Sequence, residues 1–502
     1  MALTVVAAFL RIYRLADLPP GLHGDEALTG LDALRVIDEG WIGPYVESAL
    51  GQPTGPLYWT ALLFKLSHPS LFILRLSMAI LAIATIPTAY LMFRVGFGRW
   101  VAVFGTTALV FSVWHLQFSR AGFMVVSMPL VIAIASAMIF WAMRSAGKWP
   151  WFLTGLVLGL GVYSYGSYPA FLAAFGAFLA IQLVLLRSRW RALLPRCALL
   201  ILGAFIVALP MVRFAISESD VYFSHASQVS FYRDPAFTSS ESIGEKTAHL
   251  TGRVLSGLAL LVHHPELDFS DGTGGRGALD PILAILAYAG LGIALFRWRR
   301  PPYLLAALVV LAGLMVIAFT ATNWGDMRRS LVAVPFVYGL AGLGAWELVR
   351  LGQRHLGTQA RHAPVIAAGA VLAIAVGWNG YAYFGDYVTK DYVDWVLVGR
   401  LVDSLDAAHT FDDPGEIYFY SARWSYNYET RKFLYPDTPG TDRSREFGEF
   451  SLDRTHSGPI TYVLLPPYER ELAELQQRYP GGTTVQESND DGTLRYAVYH
   501  LP

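Results

Sequence analysis

Residues 18–27 read Leu-Pro-Pro-Gly-Leu-His-Gly-Asp-Glu-Ala, and the adjacent acids Asp25 and Glu26 are the first groups in the chain with the means to do chemistry. Ala27, Leu28 and Leu31 follow them, a spacing that predicts a short helix with both carboxylates in its first turn. An acid there is favoured by the positive end of the helix dipole, which accounts for it without any function. A carboxylate held at a membrane surface can also take the proton of an attacking hydroxyl as a general base. His23, His115, His263, His264 and Glu266 could surround a divalent cation together with Asp25 or Glu26, because imidazole and carboxylate suit such ions. His23, Glu26 and His264 lead that set, although no His-x-x-His or Cys-x-x-Cys spacing backs it.

Other residues carry two readings each. Arg75 is an ionisable group in a predicted span, which marks either a functional group or a salt bridge to a neighbouring span. Tyr163, Tyr165 and Tyr168 fall at a predicted water interface, where aromatic belts form anyway; contact with a lipid carrier or sugar is the second reading. The glycine-rich run 272–277 lacks the Gly-Lys-Ser/Thr ending of a nucleotide P-loop, so it reads as a loop that closes over a bound carrier or acceptor.

The elements that must position these groups are membrane spans. Of 502 residues 54% are hydrophobic and only 15% charged, against about 25% charged in soluble domains. Residues 121–143, 302–320 and 363–384 contain no Asp, Glu, Lys or Arg, and each approaches the roughly 20 residues needed to cross hydrocarbon. The uncharged run 149–186 would be roughly 57 Å long as one helix, so it must turn, and Tyr165-Gly-Ser-Tyr-Pro169 is the place. The pattern predicts about eleven spans: 2–16, 71–93, 100–118, 121–143, 149–164, 168–186, 193–214, 279–296, 302–320, 330–349 and 363–384.

Alternate connections are basic. They hold Arg94 and Arg99; Arg144 and Lys148; Arg187, Arg189, Arg191 and Arg196; Arg297, Arg299 and Arg300; and Arg350, Arg354 and Arg361. Positive residues are retained on the cytoplasmic side, which places the loops 17–70 and 215–278, the turns near 120, 166 and 325, and the tail after 385 outside. The N-terminus is then cytoplasmic in a multi-pass protein of the cell (plasma or inner) membrane. The first apolar stretch meets Arg11-Ile-Tyr-Arg14 without a small-residue cleavage site. Either its arginines snorkel at the end of a short span or the true start lies upstream. Within the tail, strand-like runs at 416–420, 461–465 and 494–501, helical spacing over 469–479 and a turn at Asn489-Asp-Asp-Gly492 predict a small α/β extracytoplasmic domain over 386–502. A net charge of zero gives no hint of nucleic-acid binding, and the lone Cys197 excludes an intrachain disulfide.

The acidic loop resembles that of the GT-C membrane glycosyltransferases, above all the protein O-mannosyltransferases and the aminoarabinose transferases of lipid A, the family 39-like group. There an Asp-Glu pair or a lone Asp follows the first span, matched here by Asp25 and Glu26. Gly55-Pro-Leu-Tyr58-Trp59, Leu74-Arg75-Leu-Ser77, Gly161-Val-Tyr163-Ser-Tyr165 and Met327-Arg328-Arg329-Ser-Leu-Val-Ala-Val-Pro335 look like further family elements in the family's order. The resemblance covers roughly residues 2–385 and implies a polytopic helical membrane enzyme. Such an enzyme moves a sugar from a polyprenyl-phosphate carrier to a hydroxyl of a protein, lipid or glycan outside the cytoplasm, by direct inverting displacement.

On that resemblance Asp25 is the base, with Glu26 as its partner. Arg328, Arg329 and Arg120 are the complement to the leaving phosphate, which guanidinium can grip in bidentate fashion. His23, Tyr58, Arg75, Tyr163, Tyr165 and Tyr168 are substrate contacts. No cofactor is required, and a divalent metal, as some aminoarabinose transferases are thought to hold, is the open variant. Members often carry an Asp early in the next span, whereas Phe123-Met-Val-Val-Ser127 has none. That departure keeps open an inactive scaffold. A transporter or flippase of lipid-linked sugars is the alternative, but it wants ionisable residues at mid-membrane and internal repeats, and neither is visible.

Overall fold

The computed structural model describes residues 1–240, 242–263, 276–320, 326–356, 362–489 and 491–502. Helix α1 (Ala2–Ile12) stops short of the predicted residue 16, because the chain turns at Arg14 with φ 48°. Helix α2 (Gly24–Glu39) carries the acidic pair in its first turn as its sequence requires. The hairpin of β1 (Tyr45–Val46) and β2 (Gln52–Pro53) leads into α3 (Gly55–Leu66).

The apolar runs then fold as α4 (Leu71–Gly96), α5 (Arg99–Val110), α6 (Val113–Ser119), α7 (Ser127–Ala142), α8 (Trp149–Leu160), α9 (Tyr168–Leu185) and α10 (Trp190–Ser217). The long uncharged run does turn between α8 and α9. Helices α11 (Ser219–Gln228), α12 (Pro235–Thr238) and α13 (Ile243–Ala259) follow, then α14 (Pro281–Phe296), α15 (Pro301–Met315), α16 (Asp326–Arg329), α17 (Val334–His355) and α18 (Ala363–Tyr381).

Among the described residues seven helices are long and apolar enough to cross a membrane, and α5 with α6, bent by 55°, makes an eighth if counted as one span. The break falls at Ser112, whose hydroxyl caps α6 by accepting from the His115 N–H at 2.9 Å. Ala2–Ile12, Trp149–Tyr163 and Pro281–Phe296 are apolar but shorter. Each predicted span thus has a helical counterpart, while length and composition qualify seven or eight of them rather than eleven.

Met327–His355 is the most buried of the long helices, and Arg187–Ser217 and Ala363–Thr389 are the most exposed, as central and peripheral members of a bundle. Close approach is bought by small residues, as in membrane bundles generally. A Cβ at Gly155 of α8 would collide with the Leu200 carbonyl of α10, so Gly155 admits no side chain at that crossing. The predicted basic connections touch in pairs: Arg196 donates to Ala146 O at 2.7 Å, and Arg297 and Arg350 both reach Glu347, at 2.7 and 3.1 Å.

Beyond α18, helices α19 (Asp391–Val396) and α20 (Gly399–Ala408) lead to a five-stranded sheet. Its strands are β3 (Glu416–Tyr420), β4 (Gly440–Asp442), β5 (Ile460–Leu464), β6 (Thr483–Ser488) and β7 (Leu494–Leu501), in the order β4-β3-β5-β7-β6. β3 pairs parallel to β4 and β5, and β7 pairs antiparallel to β5 and β6. Parallel strands are normally covered on both faces, and here period-2 alternation supplies two cores. Ile417, Phe419 and Val463 pack with Leu401 and Leu405 of α20 on one face. Tyr418, Tyr420, Tyr462 and Leu464 pack on the other with Leu472 and Leu475 of α22 (Glu469–Arg478), which follows α21 (Glu429–Leu434).

Candidate active site

Helix α2 sorts the acidic pair. His23 is its N-cap, and the imidazole Nδ1 accepts from the Asp25 N–H at 3.1 Å. Successive helical residues point about 100° apart, so adjacent acids cannot share a face. Asp25 turns toward a cavity with its side chain 38% exposed, whereas Glu26 is wholly buried. Thr29 Oγ1, one turn on, donates to Asp25 O at 2.9 Å.

Glu26 belongs to the scaffold. Arg75 Nε donates to its Oε2 at 3.1 Å with both side chains fully buried, while the Glu26 Oε1 has no hydrogen-bond partner among the described residues. The other donors of Arg75 go to main-chain carbonyls: Leu15 and Ala16 at 3.3 Å, Pro19 at 2.9 Å and Gly21 at 2.5 Å. Of the two readings of Arg75, the salt bridge is the one formed. Arg120 corrects the expectation of a phosphate contact. It is fully buried, stacks on Phe384 at 5.2 Å, and gives its Nη donors to Leu10, Tyr13 and Leu18 carbonyls at 2.5, 2.6 and 3.0 Å. Two buried arginines thus stitch the irregular turn between α1 and α2, satisfying carbonyls that no helix or strand serves.

Arg328 and Arg329 stand 303 and 304 positions from Asp25 in sequence and share its cavity. Arg328 Nη1 donates to Asp25 Oδ2 at 2.8 Å, and its guanidinium lies 4.1 Å over the Phe123 ring. Arg329 is 9% exposed, and its Nη1 has no hydrogen-bond partner among the described residues. Its carbonyl accepts from Ser167 Oγ at 2.9 Å, which ties α16 to the turn between α8 and α9. The cavity has a volume of about 610 Å³, within the range of small-molecule sites. Asp25, Thr29, Gln52, Ser167, Arg328 and Arg329 make its polar part, and Val125, Pro169, Ala170, Ala312, Met315 and Phe319 an apolar wall.

The tip of the β1–β2 hairpin also lines it. Ala49, Leu50 and Gly51 follow one another at φ 51°, 66° and 107°, a left-handed run that costs non-glycine residues energy and needs outside support. The β1–β2 pairing supplies it, together with a hydrogen bond from Ser48 Oγ to the Asp32 carboxylate on α2. Burial pushes the Asp32 carboxyl up, and the Ser48 hydroxyl opposes that shift.

The remaining expected contacts divide. Tyr165 lines the cavity. Tyr58 does not: its hydroxyl donates to Gly43 O at 3.0 Å and accepts from the Ile42 N–H at 2.9 Å, pinning the loop before the hairpin. Tyr163 donates to Val207 O at 2.8 Å, and fully buried Tyr168 donates to Leu158 O at 3.1 Å, so both are packing residues of the helix bundle. His23 caps α2 and lies against Phe123, 5.5 Å between ring centroids. For the metal, no group of three His, Cys, Asp or Glu side chains is gathered among the described residues. His264 and Glu266 lie outside them, as do residues 272–275. His115 is buried with Arg11, Nη2 to Nδ1 2.8 Å, and Arg276 pairs with Asp386 at 2.5 Å.

Sequence reasoning passed over Phe123, Gln52, the left-handed hairpin tip and Tyr428. The last comes from the C-terminal domain and touches Gly24 beside Asp25. Gly51 was the one local signal for the hairpin tip, and none existed for Tyr428.

No protein-family model and no curated protein matches the chain. Solved structures do. ArnT from Cupriavidus metallidurans bound to undecaprenyl phosphate is similar with a TM-score of 0.57 at 14% identity, covering 99% of this chain and 96% of that one. The same protein in the apo state gives 0.55 at 14% identity over the same shares. The archaeal oligosaccharyltransferase AglB from Archaeoglobus fulgidus, in complex with an inhibitory peptide and a dolichol-phosphate, gives 0.49 at 16% identity, over 99% of this chain and 74% of that one. From the acidic first turn of α2 to the terminal sheet, the chain shares the fold of ArnT.

Proposed function

We propose that this protein transfers a sugar from a polyprenyl-phosphate donor to a hydroxyl acceptor, by inverting displacement in the cavity between α2 and α16 on the extracytoplasmic side of the membrane. One observation carries the reading: Asp25 and Arg329, whose Nη1 has no hydrogen-bond partner among the described residues, line one cavity whose other wall is apolar. A lipid-linked sugar phosphate presents the matching sequence of groups, with a chain for the apolar wall, an anion for Arg329 and an anomeric carbon between the anion and Asp25. ArnT was solved with undecaprenyl phosphate bound, which supports a carrier of that class.

In the displacement the acceptor oxygen attacks the anomeric carbon as its proton passes to Asp25. The bond from that carbon to the phosphate oxygen breaks, and the polyprenyl phosphate leaves with the electron pair. Arg329 faces the charge that grows on the leaving group, where a preplaced cation in a water-poor site acts most strongly. Arg328 holds the carboxylate by its Oδ2 and is itself steadied on Phe123, so the base enters the reaction already oriented. No step is assigned to a metal ion.

The test is turnover by the reconstituted protein with a polyprenyl-phosphate sugar and a hydroxyl acceptor, followed by mass spectrometry of both products. Wild-type protein should form one glycosidic bond for each polyprenyl phosphate released. Arg329→Ala should raise the donor KM roughly 10- to 100-fold, the effect of a lost hydrogen bond to a charged group. An unchanged donor KM would remove Arg329 from the phosphate site. Movement of the lipid-linked sugar across the bilayer without any new glycosidic bond would replace the transferase by a flippase.

A further inference from the structure

The C-terminal domain is seated on the helix that carries Asp25. Thr430 Oγ1 at the start of α21 donates to Leu22 O at 2.8 Å, just before α2 begins. Phe433, one turn later, lies against Gly30 of α2 and stacks on Phe64 of α3 with 6.2 Å between centroids. Tyr428, immediately before α21, brings its hydroxyl onto Gly24, where a Cβ would stand 2.5 Å from the phenol oxygen.

The first N–H groups of a helix have no partner within it. In α2 the Asp25 N–H goes to His23 Nδ1, and the Tyr428 hydroxyl packs directly against Gly24, the residue before Asp25. The first turn of α2 is therefore held twice over: the Asp25 N–H by its own cap, and the Gly24 backbone by the phenol of a residue more than 400 positions away that fills the space beside it. Burial, with the charges of Glu429 and Asp25 adding to it, pushes the Tyr428 phenol up to about 12. It stays a neutral hydroxyl at physiological pH, so the contact with Gly24 carries no charge.

We propose that Tyr428 is a positioning residue for Asp25, through which the C-terminal domain fixes the aim of the base from across the interface. The inference rests on the transferase reading above. It gives the tail a part in catalysis: the membrane bundle holds the donor with Arg329, and the tail sets the N-terminal turn of α2.

The experiment uses the full chain, reconstituted with a polyprenyl-phosphate sugar, in wild-type, Tyr428→Phe and Gly24→Ala forms. The first variant keeps the ring and removes the hydroxyl; the second displaces the same hydroxyl from the side of α2. Both should lower kcat roughly 10- to 100-fold, the order of effect of a small misplacement of a reacting group. Donor KM and unfolding temperature should stay at the wild-type values, which a merely structural contact would not allow. Wild-type kcat in both variants would overturn the inference, as would a fall in kcat matched by equal changes in donor KM and unfolding temperature. A wild-type protein that forms no glycosidic bond overturns the transferase reading and this inference with it, whereas active wild-type protein with indifferent variants overturns the inference alone.

Discussion

Asp25→Asn should lower transfer by about 100- to 10,000-fold, the span associated with loss of a positioned general base. The substitution changes little else. An amide oxygen can still accept from Arg328 Nη1, and the His23 and Thr29 bonds at this residue use its main-chain groups. The Asp25 side chain is 38% exposed, and Arg328, 12% exposed, keeps the amide oxygen as acceptor and its place over Phe123. Unfolding temperature and donor KM should therefore match the wild type while kcat collapses. Asp25→Glu should retain part of the activity, since a longer carboxylate keeps the base and loses its placement. Wild-type turnover by Asp25→Asn in purified vesicles would dismiss Asp25 as the base.

The second large effect concerns stability and separates the two acids. Arg75→Leu should destabilise the protein by about 3–5 kcal/mol, because removing one member of a buried ion pair strands the other. Here Glu26 would be left charged in a site from which water is excluded, and four carbonyls of the turn between α1 and α2 would lose their donor. Thermal unfolding in detergent measures this directly. Glu26→Gln should also lower the unfolding temperature, by less, since the amide oxygen can still accept from Arg75 Nε. Were Glu26 instead a member of the reacting pair, Glu26→Gln would leave the unfolding temperature untouched and abolish transfer, and the buried pair would then need another explanation.

Much of the fold was legible because it is written in local patterns. Uncharged runs became helices, and the strand-like runs at 416–420 and 494–501 became β3 and β7 with those limits. The runs at 461–465 and 469–479 became β5 and α22 to within a residue. Strands β4 and β6 were missed: Gly440-Thr-Asp442 is short and polar, and β6 is mostly exposed, so neither shows the apolar alternation that marks a covered strand. The shorter reach of α1 and the bend between α5 and α6 were missed for a different reason. Single residues, Arg14 at φ 48° and Ser112 as a cap, end helices whose apolar composition runs on.

The sites show where local pattern stops informing. Arg75, Arg120, Arg328 and Arg329 are alike in sequence terms, each a guanidinium near the end of a predicted span. Arg75 and Arg120 were drawn inward, because the turn they adjoin leaves carbonyls in need of donors. Arg328 and Arg329 line the cavity, because α16 crosses opposite the N-terminus of α2. The sequence by itself determined that acids stand at the start of a helix just past the first apolar stretch, since dipole, spacing and composition are properties of neighbours along the chain. Only the tertiary structure decided that Asp25 faces a cavity and Glu26 a buried arginine, that Arg329 has a nitrogen without a partner among the described residues, and that a tyrosine of the C-terminal domain lies against the first turn of α2. Those outcomes depend on the phase and crossing of helices far apart in the chain, which packing sets and spacing does not record.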